Sequence, residues 1–126
     1  MTGARLVPVR GARDPQGIVL VLHGGASRGD GSVVSPAQLS VLRMVPVARR
    51  IAVAGRSRLA VHRLLNTHRG WDSRTTPVMD VAWALDHVTE QHGDLPVALV
   101  GHSLGGRAAL LAGNDPRVRS VVALNP

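Results

Sequence analysis

The 126-residue sequence contains no cysteine, which excludes disulfides, thiolate metal sites and a cysteine nucleophile together. Phenylalanine, tyrosine and lysine are also missing: the aromatic residues are two tryptophans, and all 15 basic residues are arginine, the bias of a GC-rich coding sequence. A formal net charge of +7 would suit a phosphate-binding surface. The arginines are dispersed, however, with only Arg49 and Arg50 adjacent, and no Phe or Tyr is present to stack on bases, so no nucleic-acid partner is expected. Long apolar runs are lacking as well. The longest aliphatic stretch, Ile18 to Leu22, is far too short to cross a bilayer, so no membrane partner is expected. Arg10 and Arg13 interrupt the opening segment before a signal-peptide core could form, and the chain reads as cytoplasmic. No dinucleotide or phosphate-loop fingerprint is present and no histidine pair has metal-ligand spacing with a carboxylate, so neither a cofactor nor a metal is expected.

What is present is the composition of a globular domain, 44% hydrophobic. Short aliphatic runs alternate with helix-like segments, the signature of a mostly parallel α/β sheet with helices on both faces. The run "GIVLVLHGG" (17–25) reads as a strand covered on both faces. "RLVPV" (5–9) suits an antiparallel edge strand, because Pro8 would be awkward in a sheet interior. "HGGASRGDGS" (23–32) reads as a loop, and Ser35 followed by Pro36 as the start of a helix that Pro46 kinks or restarts and Gly55 ends. "RLAVHRLL" (58–65) is the next strand. Thr76 and Pro77 then open a helix with Val78, Val81, Ala82, Leu85 and Val88 at helical spacing, closed by Gly93. "LPVALV" (95–100) is a further strand, a helix follows to about Gly113, and "RVRSVVALNP" supplies a last strand running to the end of the sequence.

Between the 95–100 strand and its helix stands "GHSLGG" (101–106). A serine on a sharp strand-to-helix turn has its hydroxyl raised above the sheet, a helix N-terminus aimed at developing negative charge, and the next amide available as a donor. Such a turn requires small residues two before and two after the serine. Gly101 and Gly105 meet that requirement around Ser103, and Gly106 gives the helix further room. His102, beside Ser103, is expected to pack near the site.

With "GHSLGG" and with "LHGG" (22–25) after the earlier strand, the chain resembles the α/β-hydrolase family, specifically serine hydrolases with a GxSxG nucleophile elbow, and the resemblance runs over essentially the whole sequence. It implies that Ser103 is the nucleophile and that the amides of Leu104 and Gly25 form the oxyanion hole, with Gly24 as the neighbouring alternative to Gly25. It implies a structural role for His23, and a place for Trp71 at the border of a pocket, either as a pocket wall or as a loop anchor. Arg107 is expected at the surface.

The family carries its acid and histidine after the nucleophile. Downstream of Ser103 the sequence has a single carboxylate, Asp115, in a "DPRVRS" turn where capping is expected, and no histidine. His62 on its strand is a core or face residue; His68 follows in the loop; His87 and His92 are expected on a solvated helix face, the latter favourable to the helix dipole. The last strand, apolar on both faces, would also form an uncovered edge. The sequence therefore reads as the N-terminal portion of one α/β-hydrolase domain (1–126), incomplete at its C-terminus. The expected function is hydrolysis of a small-molecule ester through an acyl-enzyme at Ser103, with the 126 residues alone nearly inert. The alternatives are a non-catalytic binding protein of the same fold or an inactive fragment.

Overall fold

The computed structural model describes residues 3–9, 11–25, 34–35, 37–67 and 76–126. Pro36, His68, Trp71 and most of the glycine-rich 23–32 segment lie outside them. The aliphatic segments pair into one sheet of β1 (Arg5–Pro8), β2 (Gly17–Leu22), β3 (Leu59–Leu65), β4 (Val97–His102) and β5 (Val118–Leu124), in the order β1-β3-β2-β4-β5. Strands β2 to β5 are parallel, and β1 is antiparallel to β3 at one edge. That edge position is what makes Pro8 tolerable, since it faces His62 across its one neighbouring strand.

Among the described residues, four helices lie between the strands: α1 (Leu39–Leu42), α2 (Val45–Ala54), α3 (Thr76–His92) and α4 (Leu104–Ala112). The central strand β2 is buried along its whole length, and its period of two divides the core. Ile18, Leu20 and Leu22 face α3 and α4, packing with Leu64, Leu99, Leu85, Val88 and Ala108. Val19 and Val21 face α2, packing with Val61, Met44, Ala48 and Ala52. Each fully buried Leu, Ile or Val contributes about 1.5–3 kcal/mol, so this two-sided strand is the anchor of the fold.

Several boundaries differ from the sequence expectation for local reasons. The helix expected directly after Ser35 begins only at Leu39, because Ser35 and Gln38 close a turn of their own: Ala37 N–H donates to Ser35 Oγ (3.2 Å) and Ser35 N–H to Gln38 Oε1 (2.9 Å). Pro46 restarts the helix as part of α2's first turn, and Gly55 ends it. In α3 the buried stripe is Val81, Ala84, Leu85 and Val88, whereas Ala82 is exposed. Gly93, at φ +86°, ends α3 in the left-handed conformation that glycine tolerates best. Strand β4 starts past Pro96 and continues through His102, and β5 stops at Leu124 because Asn125 turns to φ 45°. Strand β5 is the other edge of the described sheet, with Val122 and Leu124 exposed.

Candidate active site

The order of connection reverses at β2: the chain leaves it sideways to β3 and returns past it to β4. In open parallel sheets the crevice beyond the strand C-termini at such a reversal is where ligands bind. Leu22 pairs with Gly101, so the residues that follow β2 and β4 emerge side by side. This register brings "HGG" and "HSLGG", remote in sequence, to one place.

Ser103 occupies the turn between β4 and α4 with φ 54° and ψ −115°, one of two non-glycine residues with positive φ among the described residues. Such a backbone costs about 1–3 kcal/mol and persists only where its surroundings fix it. The surroundings are visible. Ser103 N–H donates to Leu124 O at the end of β5 (2.8 Å), and Ser103 O accepts the Arg107 N–H (2.9 Å). The flanking glycines are required by close approach, since a Cβ at Gly101 would run into the Gly105 carbonyl and one at Gly105 into the carbonyls of Leu22 and His23. At Gly106 a Cβ would sit 3.1 Å from Gly101 O, a milder conflict.

Leu104 is the first residue of α4, so its N–H belongs to the unpaired donors of a helix start. Among the described residues no backbone acceptor takes it, nor the N–H of Gly25. Gly24 lies against the turn: a Cβ there would be 3.5 Å from Ser103 Cβ and 3.4 Å from His102 O. His102 is half-buried beside it. Arg107 is exposed, as expected.

His23 is buried, and each of its ring nitrogens is engaged. Its Nε2 accepts the Asn66 N–H (3.0 Å), and its Nδ1 donates to Gly24 O. Burial is the largest influence on this imidazole and holds its pKa below the usual range. Asn66 is tied in turn to Asp80 of α3, which is 1% exposed and accepts from Asn66 Nδ2 (3.0 Å), Thr67 N–H (2.8 Å) and Thr67 Oγ1 (2.8 Å). Asn66 and Asp80 escape the sequence reading. The available signal was a carboxylate falling on the apolar stripe of α3, one position before Val81.

The other histidines do not converge on Ser103. His62 is buried on β3 and meets His92 with Nε2 to Nε2 at 3.1 Å, while its Nδ1 has no partner. Burial, and then His92 and His87, push the His62 pKa down to about 4. His92 is therefore half-buried against a partner rather than simply solvated at the helix end. His87 is exposed and stacks on Trp83 (5.3 Å between centroids). Asp115 caps the turn before β5: its Oδ1 accepts Arg117 N–H (2.9 Å) and Nε (3.0 Å), its Oδ2 accepts Arg117 Nη2 (2.9 Å), and these bonds lower its pKa. Among the described residues no group of three or more His, Asp or Glu could hold a metal ion, and no helix is long and apolar enough to cross a membrane. A groove of about 510 Å³ opens at the opposite end of the sheet, lined by Ile51, Leu59, Arg58, Ala98 and Arg119 among others, and contains none of the turn residues.

A mostly parallel sheet flanked by helices, with a serine on the strand-to-helix turn beside its reversal point, is the architecture of an α/β hydrolase. The model of the family described as Serine aminopeptidase, S33 matches residues 54–126, and the chain belongs to this family. No curated protein sequence matches the chain. Among solved structures it is similar to a cold-adapted esterase from an Arctic intertidal metagenomic library in a polyethylene-glycol-bound complex, with a TM-score of 0.56 and 16% identity over 94% of this chain and 58% of that one. A zinc-bound structure of a cold-adapted esterase from such a library gives a TM-score of 0.54 and 16% identity over 94% of this chain and 56% of that one. At this identity the likeness is one of fold, and the chain spans less than two thirds of the length of either esterase.

Proposed function

We propose that Ser103 is the nucleophile of an acyl-transfer reaction in which a small-molecule ester is hydrolysed through an acyl-enzyme. The observation that carries this reading is the strained serine at φ 54°, held between β4 and α4 beside the Leu104 N–H, which no backbone acceptor among the described residues takes. In the proposed reaction the Ser103 oxygen attacks the ester carbonyl, the Leu104 and Gly25 amides receive the oxyanion, and the alcohol departs with a proton; water then releases the acid and regenerates the serine. The α4 dipole adds favourable potential at the same point. The esterase neighbours in fold favour an ester, whereas the family's description as a serine aminopeptidase names an amide, and both bonds are cleaved through the same acyl-enzyme.

Both nitrogens of His23 are committed, His62 is paired with His92, and among the described residues no histidine hydrogen-bonds the Ser103 hydroxyl. In this reading Trp71 borders the pocket either as its wall or as a loop anchor, and the protein acts in the cytoplasm. The test is an organophosphonate probe applied to the protein as its own cells make it. Covalent mass on Ser103 that is lost in Ser103→Ala is expected, and equal labelling of that variant overturns the assignment.

A further inference from the structure

Arginines that stand apart in the sequence are gathered by the fold. No Asp or Glu occurs between Asp30 and Asp72, whereas Arg43, Arg49, Arg50, Arg56, Arg58 and Arg63 all fall between the start of α1 and the end of β3. Val41, Met44, Ala48 and Ala52 turn inward at helical spacing, so α1 and α2 share one face directed away from the sheet. That face carries Arg43, Arg49 and Arg50, interleaved with Leu39 (77% exposed), Leu42 (46%) and Val53 (63%). Arg56 and Arg58 are exposed where α2 gives way to β3. Arg63 lies half-buried on the α2 side of β3, two residues past Val61, where burial and then Arg49 hold its guanidinium below its usual pKa. The ion pairs among the described residues all involve Arg117, so no described carboxylate neutralises this side of the sheet.

We propose that this outer face of α1 and α2 is a docking surface for an anionic lipid bilayer, with the arginines meeting headgroup phosphates and Leu39, Leu42 and Val53 entering the interface among them. The inference is independent of the reading of Ser103. Two features select this partner. Guanidinium groups with no counter-charge on the protein are complementary to phosphate, and each cation near an anionic bilayer strengthens attachment about 5-fold. Exposed Leu and Val side chains gain nothing from a nucleic-acid backbone, but a bilayer interface withdraws them from water. No aromatic residue stands between Ile18 and Leu65 on which a base could stack. The absence of a spanning segment is the ground on which the sequence predicts no membrane partner, and among the described residues no helix is long and apolar enough to span. A face that lies on the surface needs no such length, and its arginines converge only once α2 packs over β2 and β3.

The test is cosedimentation of the protein, as its own cells make it, with sucrose-loaded vesicles of phosphatidylcholine alone or with about 30% phosphatidylglycerol. Binding to the anionic vesicles is expected to be tighter by about 10-fold or more, and to weaken as salt rises from about 0.05 to about 0.5 M. Arg49→Gln, at an exposed position and with a side chain that keeps helix propensity, is expected to weaken that binding about 5-fold. Arg107→Gln removes the same charge from α4, on the other side of the sheet, and is expected to change it by less than about 2-fold. Leu39→Ser combined with Val53→Ser, both exposed, leaves the charge unaltered and is expected to weaken binding about 5- to 10-fold. Equal losses in Arg49→Gln and Arg107→Gln would reveal attraction to net charge without a docking face and overturn the proposal. Unchanged binding in the Leu39 and Val53 double variant overturns it as well. So does a protein that ignores anionic vesicles yet binds a DNA duplex of about 20 base pairs and loses that binding in Arg49→Gln, which would assign the face to nucleic acid.

Discussion

The Ser103 N–H is bound to the Leu124 carbonyl at 2.8 Å, so the turn that lifts the serine above the sheet is fastened to the end of edge strand β5. This bond commits Ser103's own amide, whereas no backbone acceptor among the described residues takes the Leu104 N–H at the start of α4. It also holds a backbone that serine adopts only under constraint.

Ser103→Gly should therefore be more stable than Ser103→Ala by about 1 kcal/mol, reversing the usual order in which glycine loses about 0.5–1 kcal/mol to alanine. Urea denaturation of both variants measures this. Alanine equal to or more stable than glycine would mean that the turn carries no strain.

Replacing the glycines around the turn should show a graded cost. Gly101→Ala and Gly105→Ala each drive a methyl into backbone carbonyls and should lose about 3 kcal/mol or more, whereas Gly106→Ala meets only a tight contact and should lose about 1 kcal/mol. Thermal melts of the three variants give the ranking, and a Gly106 variant as damaged as the other two contradicts it.

Acid should weaken the fold through His62. Its pKa is about 4 in the folded chain, against an ordinary value of 6.5, so the unfolded chain binds the proton first. Stability present at neutral pH is lost as pH falls through 6.5, and the loss is complete below about 4, on the order of 3 kcal/mol. His62→Leu, of similar bulk and unable to titrate, should flatten this part of the pH–stability curve. A curve of unchanged slope would assign the acid sensitivity to other groups.

Asp115 should matter for stability and not for chemistry. It joins the turn before β5 to Arg117, which also reaches Asp86 of α3 at 2.8 Å. Asp115→Ala is expected to lose about 1 kcal/mol in urea denaturation, as for a bidentate Arg pair near the surface, with an unchanged rate of organophosphonate labelling at Ser103. A labelling rate lowered by 10-fold or more would place Asp115 in the reaction.

Much of the layout was legible from local sequence because local physics decides it. Continuous aliphatics at 18–22 mark a strand buried on both faces, Pro8 marks an edge, Gly55 and Gly93 mark helix ends, and small residues on both sides of Ser103 mark a crowded turn. The same reasoning misplaced Ala82 on the buried face and treated His92 as solvated. A helical stripe drawn from spacing alone does not know which neighbours it meets.

The residues that depend on pairing across the sheet were not legible. Asn66, Asp80 and His23 lie far apart in the chain, and only the parallel register of β2 with β3 and β4 brings their ends together. The tautomer of His23, the pairing of His62 with His92 and the fastening of Ser103 to Leu124 have no signature at any fixed spacing. The sequence by itself determined the strands, the helix ends and the serine turn, since each depends on the conformational preferences of a few consecutive residues. Tertiary structure alone decided which polar groups share a buried space, because in that space every donor must find an acceptor from another part of the chain.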